Sequence, residues 1–226
     1  MAKALLTKVL EKVKATYSNM SEYTWSATVT EGQPSASGKN SVDTASILVA
    51  VKKPNQFRWE VSGNGAARYT GMYVGEEVIV SDGRDVFWCD PKRKQYTKTR
   101  IGPLETPMGS VSAFIKKIED DFFLGYSLLG QNTAKLLKEE AISRRDGVVD
   151  CYVVEITTSS HTVFTWWVDK KRSVVVREDF EANGIAQPRT LTRRTEVNFV
   201  QIGGPIDERL FIFSPPAGAE LVERFK

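Results

Sequence analysis

His161 is the only histidine in the chain, and it follows Ser159-Ser160, so the residue types of a nucleophile and its base stand side by side. Neighbours in one strand point to opposite faces, however, and a catalytic triad is assembled in space rather than in sequence. The trio therefore supplies no catalytic pair. Cys89, Cys151 and His161 contain no close-spaced ligand pair of the kind that holds zinc, so no metal and no cofactor are expected. Two thiols do not make a disulfide framework. They read as independent strand residues, with a single bridge left open if their strands are neighbours. Glu119-Asp120-Asp121 reads as a solvated helix end. Gly63 and Gly65 fall in a hairpin connection rather than between a strand and a helix, which excludes a phosphate-binding loop. The basic run Lys92, Arg93, Lys94, Lys98 and Arg100 reads as a solvated edge that discourages strand pairing. Contact with anionic head groups is its functional alternative.

What remains is the chemistry of apolar burial. Trp25, Trp59, Trp88, Trp166 and Trp167 are the five tryptophans of a 226-residue chain. They cannot all enter a small solid core unless each indole N–H finds an acceptor, which favours a cavity or an amphipathic surface for some of them. Plain core packing accounts for the others.

The elements that position these residues are legible from periodicity. Ile47, Val49 and Val51 alternate with Leu48, Ala50 and Lys52, and after the break at Lys53-Pro54-Asn55 the pattern resumes with Phe57, Trp59 and Val61. This is a hairpin with one strongly apolar face. Val78-Ile79-Val80 and Val86-Phe87-Trp88-Cys89, joined at Asp82-Gly83, predict a second hairpin. Ahead of this meander, Leu6, Val9, Leu10, Val13 and Tyr17 fall at helical spacing and predict an amphipathic helix over 3–18. A half-buried strand follows at Tyr23, Trp25, Ala27 and Val29, and 31–39 reads as polar loop. Beyond it, Met108, Val111, Phe114, Ile115 and Ile118 recur at helical spacing, so 101–130 reads as a helical insertion whose apolar side must cover something. Strands are then expected at 138–145, 148–158, 162–169, 173–180 and 190–202, and a short one at 210–213 stopped by prolines. The run 163–168 is apolar at both parities, as in a strand buried on two sides.

With 41% hydrophobic residues the chain can bury one good core, and a single domain over 1–226 is expected. Its 31 basic and 28 acidic side chains leave a formal charge of only +3, far from the excess that nucleic acid calls for. No segment approaches the roughly 20 apolar residues that span a bilayer. Lys3, Lys8, Glu11 and Lys12 stand where a signal peptide would have its apolar region.

Three blocks, 52–59 (Lys-Lys-Pro-Asn-Gln-Phe-Arg-Trp), 80–91 (Val-Ser-Asp-Gly-Arg-Asp-Val-Phe-Trp-Cys-Asp-Pro) and 211–218 (Phe-Ile-Phe-Ser-Pro-Pro-Ala-Gly), occur in order. Together they resemble the periplasmic lipoprotein-sorting carriers of the Lol system and their relatives, LolA and LolB among them, over nearly the whole chain. The resemblance implies an α+β, mainly β fold: an incomplete antiparallel β-barrel of about eleven strands whose helical lid closes an apolar cavity. It implies a cavity lined by Trp25, Phe57, Trp59, Val61, Val86 and Trp88, with Phe57 at an aromatic position of the mouth. Met108, Phe114 and Ile118 belong to the lid. A basic residue before the Pro-Asn turn latches the lid in the family; here it is Lys53, where the better-known carrier has arginine, a forked donor rather than a single rotatable head. The insertion over 64–75 and the longer lid mark a divergent member.

The function so implied is non-enzymatic: a periplasmic carrier or binder of lipid or lipoprotein acyl chains, with outer-membrane lipoprotein sorting as the family's task. Its expected partners are the acyl chain and a membrane-anchored acceptor or release complex, with no nucleic acid. The periplasmic location carries the expectation that a signal peptide is missing from the sequence as given. The alternative is a regulatory module of the same fold that senses a lipid or lipoprotein and acts through a protein partner. An enzyme using the cavity as its pocket gains little support from these residues.

Overall fold

The helical spacing at the N-terminus produces α1, Ala2–Ser18, in the computed structural model. The structure describes residues 2–18, 20–33, 41–64, 76–101, 113–116, 133–145, 147–158, 162–183 and 190–225. Among them are twelve strands: β1 Glu22–Gln33, β2 Ser41–Lys52, β3 Gln56–Asn64, β4 Glu77–Asp82, β5 Asp85–Asp90, β6 Gln95–Arg100, β7 Thr133–Arg144, β8 Gly147–Thr157, β9 Val163–Asp169, β10 Val175–Asn183, β11 Thr190–Ile202 and β12 Glu220–Leu221. They form one open sheet in the order β12-β6-β5-β4-β3-β2-β1-β11-β10-β9-β8-β7. Among the described residues the protein is thus mainly β with few helices, and the sheet is not closed. The expected count of about eleven is exceeded by the two-residue β12, which runs parallel to β6 and so departs from an all-antiparallel order.

Contacts divide the chain into two compact units, and β1, β2 and β11 each contribute to both. The first unit holds residues 1–19, 27–44 and 122–198. Here Val9, Val13 and Tyr17 of α1 are buried, and the Tyr17 hydroxyl accepts from the Val175 backbone N–H at 2.7 Å. Strands β7 to β11 pair antiparallel, with Val154 opposite Trp166 and Val153 opposite Trp167. Both tryptophans are buried although they point to opposite faces, as the two-sided apolar pattern predicts. Each indole has a carboxylate acceptor, Glu178 for Trp166 at 2.9 Å and Glu140 for Trp167 at 2.8 Å.

Residues 31–33, the start of the segment read as loop, are instead the end of β1, and 34–39 lie outside the described residues. Glu31 is only 2% exposed, and a Cβ added at Gly32 would lie 2.8 Å from the Thr192 hydroxyl oxygen. The glycine that signals a loop in sequence is here what lets two strands approach closely. Strands β2 and β7 likewise begin earlier than read, at Ser41 and Thr133; the first residues of β2 are mostly polar and hide the alternation.

The second unit holds residues 20–26, 45–121 and 199–226. Its centre is the predicted meander, β3 to β6, paired antiparallel. The expected strand at 210–213 is not formed. Asp207 caps a 3-10 turn, Glu208–Phe211, by accepting from the Arg209 N–H, and an apolar run this short does not decide between turn and strand. Phe211 is buried there, and Phe213 stacks on Phe87 at 4.8 Å.

Candidate functional site

Residues opposite one another in paired strands share a face of the sheet. Phe57 faces Ser81, Trp59 faces Ile79 and Val61 faces Glu77; across the next pair, Ile79 faces Trp88 and Ser81 faces Val86. Five of the expected lining residues, Phe57, Trp59, Val61, Val86 and Trp88, therefore lie on one side of β3 and β5, with β4 between them. Phe57, Trp59, Val61 and Val86 are buried and Trp88 is half-buried. Trp25, on β1 in the same unit, is buried as well.

A helical turn at 113–116 covers this face. The Phe114 ring lies 4.9 Å from Phe57 and 6.5 Å, edge to face, from Trp59. Phe114 and its neighbour Ile115 are both buried. Met108 and Ile118, the other expected lid residues, lie outside the described residues. Lys53 is exposed at the β2–β3 turn, after which comes a cis Lys53–Pro54 peptide, and its backbone N–H donates to the Ser21 carbonyl at 2.9 Å. Most of the lid that its side chain was expected to latch is outside the described residues too, as are Ser159, Ser160 and His161.

Sequence reasoning missed Glu77. Its carboxylate accepts from the Trp59 indole N–H at 2.9 Å and from the Trp88 indole as well, and the residue is only 9% exposed. Burial pushes its carboxyl above the ordinary range; the two indole donors pull it back down, and the charge of Asp90 pushes it up again. The signal was available: counting by two from Ile79 puts position 77 on the aromatic face. An acid following a Gly-rich stretch instead reads as the end of a loop. Phe225 was also missed, and it packs edge to face on Trp88 at 5.4 Å.

The opposite side of the same strands is differently made. There Lys98 sits 5.4 Å above the Phe87 ring and pairs with Asp85 at 3.1 Å, while at the β5–β6 turn Arg93 pairs with Asp90 at 3.3 Å. The basic run is thus partly engaged in ion pairs along the edge. Cys89 and Cys151 are free and buried, and burial pushes both thiols up, Cys151 to about 11, which leaves them poor nucleophiles.

The first unit carries an open concavity of about 570 Å³. Its walls are charged: Arg194 forks onto Asp179 at 2.9 and 3.0 Å, and the Arg193 guanidinium stacks 4.6 Å from Phe180. Such walls suit an acyl chain poorly. The aromatic face under Phe114 is the more apolar of the two surfaces.

An outer-membrane lipoprotein carrier protein of Pseudomonas putida (strain W619) is 23% identical to this chain over 222 residues, covering 96% of this chain and 84% of the relative. Among solved structures, MucB is similar with a TM-score of 0.48 at 12% identity, over 94% of this chain and 64% of MucB. This chain therefore spans less than two thirds of that protein. A LolA superfamily protein from Nitrosomonas europaea matches with a TM-score of 0.34 at 14% identity, covering 92% of this chain and 97% of its own. The model of one family matches residues 7–224, nearly the full length, and the chain accordingly belongs to DUF2092, a family described as predicted periplasmic protein.

Proposed function

We propose that this protein is a non-enzymatic periplasmic carrier or binder of lipid or lipoprotein acyl chains, and that the chain docks on the aromatic face of β3 to β5. One observation carries the reading: Phe114, in the helical residues 113–116, covers Phe57 and Trp59. Membership of a periplasmic family and the likeness to a relative named as a lipoprotein carrier support it.

The physics is an exchange of one apolar surface for another. Each acyl methylene removed from water is worth about 0.8 kcal/mol. A chain that displaces Phe114 and Ile115 gains that burial and gives up the burial of the two side chains, so loading and release stay close to balance. The turn acts as the lid, with Met108 and Ile118 as its further apolar contacts. Lys53, beside the Pro-Asn turn, serves as the lid latch. Trp25, Val61, Val86 and Trp88 complete the lining, and a membrane-anchored acceptor or release complex takes the cargo.

Native mass spectrometry of gently purified protein, followed by solvent extraction, tests this. The expected result is a discrete added mass that proves to be a phospholipid, a fatty acid or an acylated peptide. Bare protein that also refuses an acyl-chain fluorophore would overturn the carrier and point to a regulatory module acting through a protein partner.

A further inference from the structure

Lys8 and Lys12 stand four residues apart on α1 and so rise from one side of the helix. Together with Lys170, Tyr152 and Ser173 they wall a recess of about 120 Å³ in the first unit. That volume holds several waters. It is therefore large enough for a single tetrahedral oxyanion and far too small for an acyl chain.

The charges around the recess do not cancel. Asp169, the one acid in its wall, is already committed: one carboxylate oxygen accepts from the backbone N–H groups of Lys171 and Arg172 at 2.8 and 3.0 Å, and the other from the Arg172 side chain at 2.7 Å. Lys170 is held by Glu139 at 2.5 Å, with its ammonium 5.0 Å from the Tyr152 ring centroid. Among the described residues neither Lys8 nor Lys12 has a carboxylate partner, and Glu11, the only acid on α1, pairs with neither. Two exposed lysines thus border a recess whose lining also includes the hydroxyl residues Tyr152 and Ser173, beside the apolar Leu5, Val9 and Val168. Lysine binds phosphate as a compact point charge, and hydroxyl donors supply direction.

We propose that this recess is a binding site for a phosphate group, either free or as the head group of an anionic phospholipid. It shares no residue with the aromatic site and stands whether or not that site takes acyl chains.

Two probes separate the sources: inorganic phosphate, followed through amide shifts of the labelled protein, and phosphatidylglycerol-containing vesicles, compared with pure phosphatidylcholine vesicles in cosedimentation. Phosphate shifts centred on Lys8, Lys12, Tyr152 and Ser173 support the site. Binding to the anionic vesicles alone or in addition supports it as a head-group site. In either arm the Lys8→Gln, Lys12→Gln double variant should weaken binding about tenfold or more. Arg209→Gln, with one positive charge removed from the other unit, should not. The proposal is overturned if neither probe binds, if the double variant binds as tightly as the parent, or if Arg209→Gln weakens binding as much. Thermal unfolding of the double variant checks that its fold is retained, and unchanged uptake of an acyl fluorophore keeps the outcome separate from the carrier reading.

Discussion

Two indoles converge on one buried carboxylate in this protein, and the consequences can be measured residue by residue. Replacing Trp59 by Phe keeps most of the apolar surface but deprives Glu77 of a donor, and should cost about 1–3 kcal/mol in urea unfolding. A Trp59→Phe variant as stable as the parent would mean that the bond contributes nothing. Glu77 also sets a pH dependence. Its folded carboxyl is raised above the ordinary value of 4.5, so between 4.5 and the raised value the folded chain holds a proton that the unfolded chain has released. Stability from this group is full below 4.5 and is lost as pH climbs through the raised value. The parent should therefore gain stability relative to Glu77→Gln as the solution is acidified from neutrality toward 4.5, read from urea midpoints of the pair across that interval. A gap independent of pH would contradict the raised carboxyl. At this scale the side to which Phe57, Trp59 and Val61 point was readable because strict alternation fixes facing. Glu77 was overlooked although its parity with Ile79 marks its side, because an acid after a Gly-rich stretch reads as the end of a loop.

The helical turn at 113–116 is the element on which the carrier reading depends. Truncating Phe114 to Ala removes a buried ring from Phe57 and Trp59 and should cost about 3 kcal/mol of stability. It should also speed uptake of an acyl-chain fluorophore, since less apolar contact must be broken first. Slower or unchanged uptake would mean that the turn is structural and not a lid. On the first unit, the close approach of Gly32 to Thr192 makes a separate prediction. Gly32→Ala should destabilise by about 1–2 kcal/mol, and Thr192→Ala should recover part of that loss, a coupling that a double-mutant cycle in urea reports. Additive losses would remove the steric explanation. Elements with strong periodicity, α1 and the meander, were legible in sequence. The end of β1 and the turn at Glu208–Phe211 were not: a glycine can mark either a loop or a close strand contact, and Asp207 can either end a strand or cap a turn.

For the whole molecule, sequence patterning foresaw a mainly β protein, because alternation and hairpin turns are local signals; the incomplete barrel was what the family resemblance implied, and the described strands form an open sheet. The division into two compact units, with β1, β2 and β11 running through both, was hidden, since it arises from contacts between residues far apart in the chain. The carrier reading proposed above places the protein's work in apolar burial on the aromatic face. That claim is tested most directly by photocrosslinking with a fatty acid that carries a diazirine in its acyl chain, followed by peptide mapping. The predicted result is saturable labelling, competed by unlabelled fatty acid, on peptides containing Phe57 to Val61, Ile79, Val86 to Trp88 or Phe114. Labelling that does not saturate, or that falls only on the first unit, would contradict the aromatic face as the acyl-chain site.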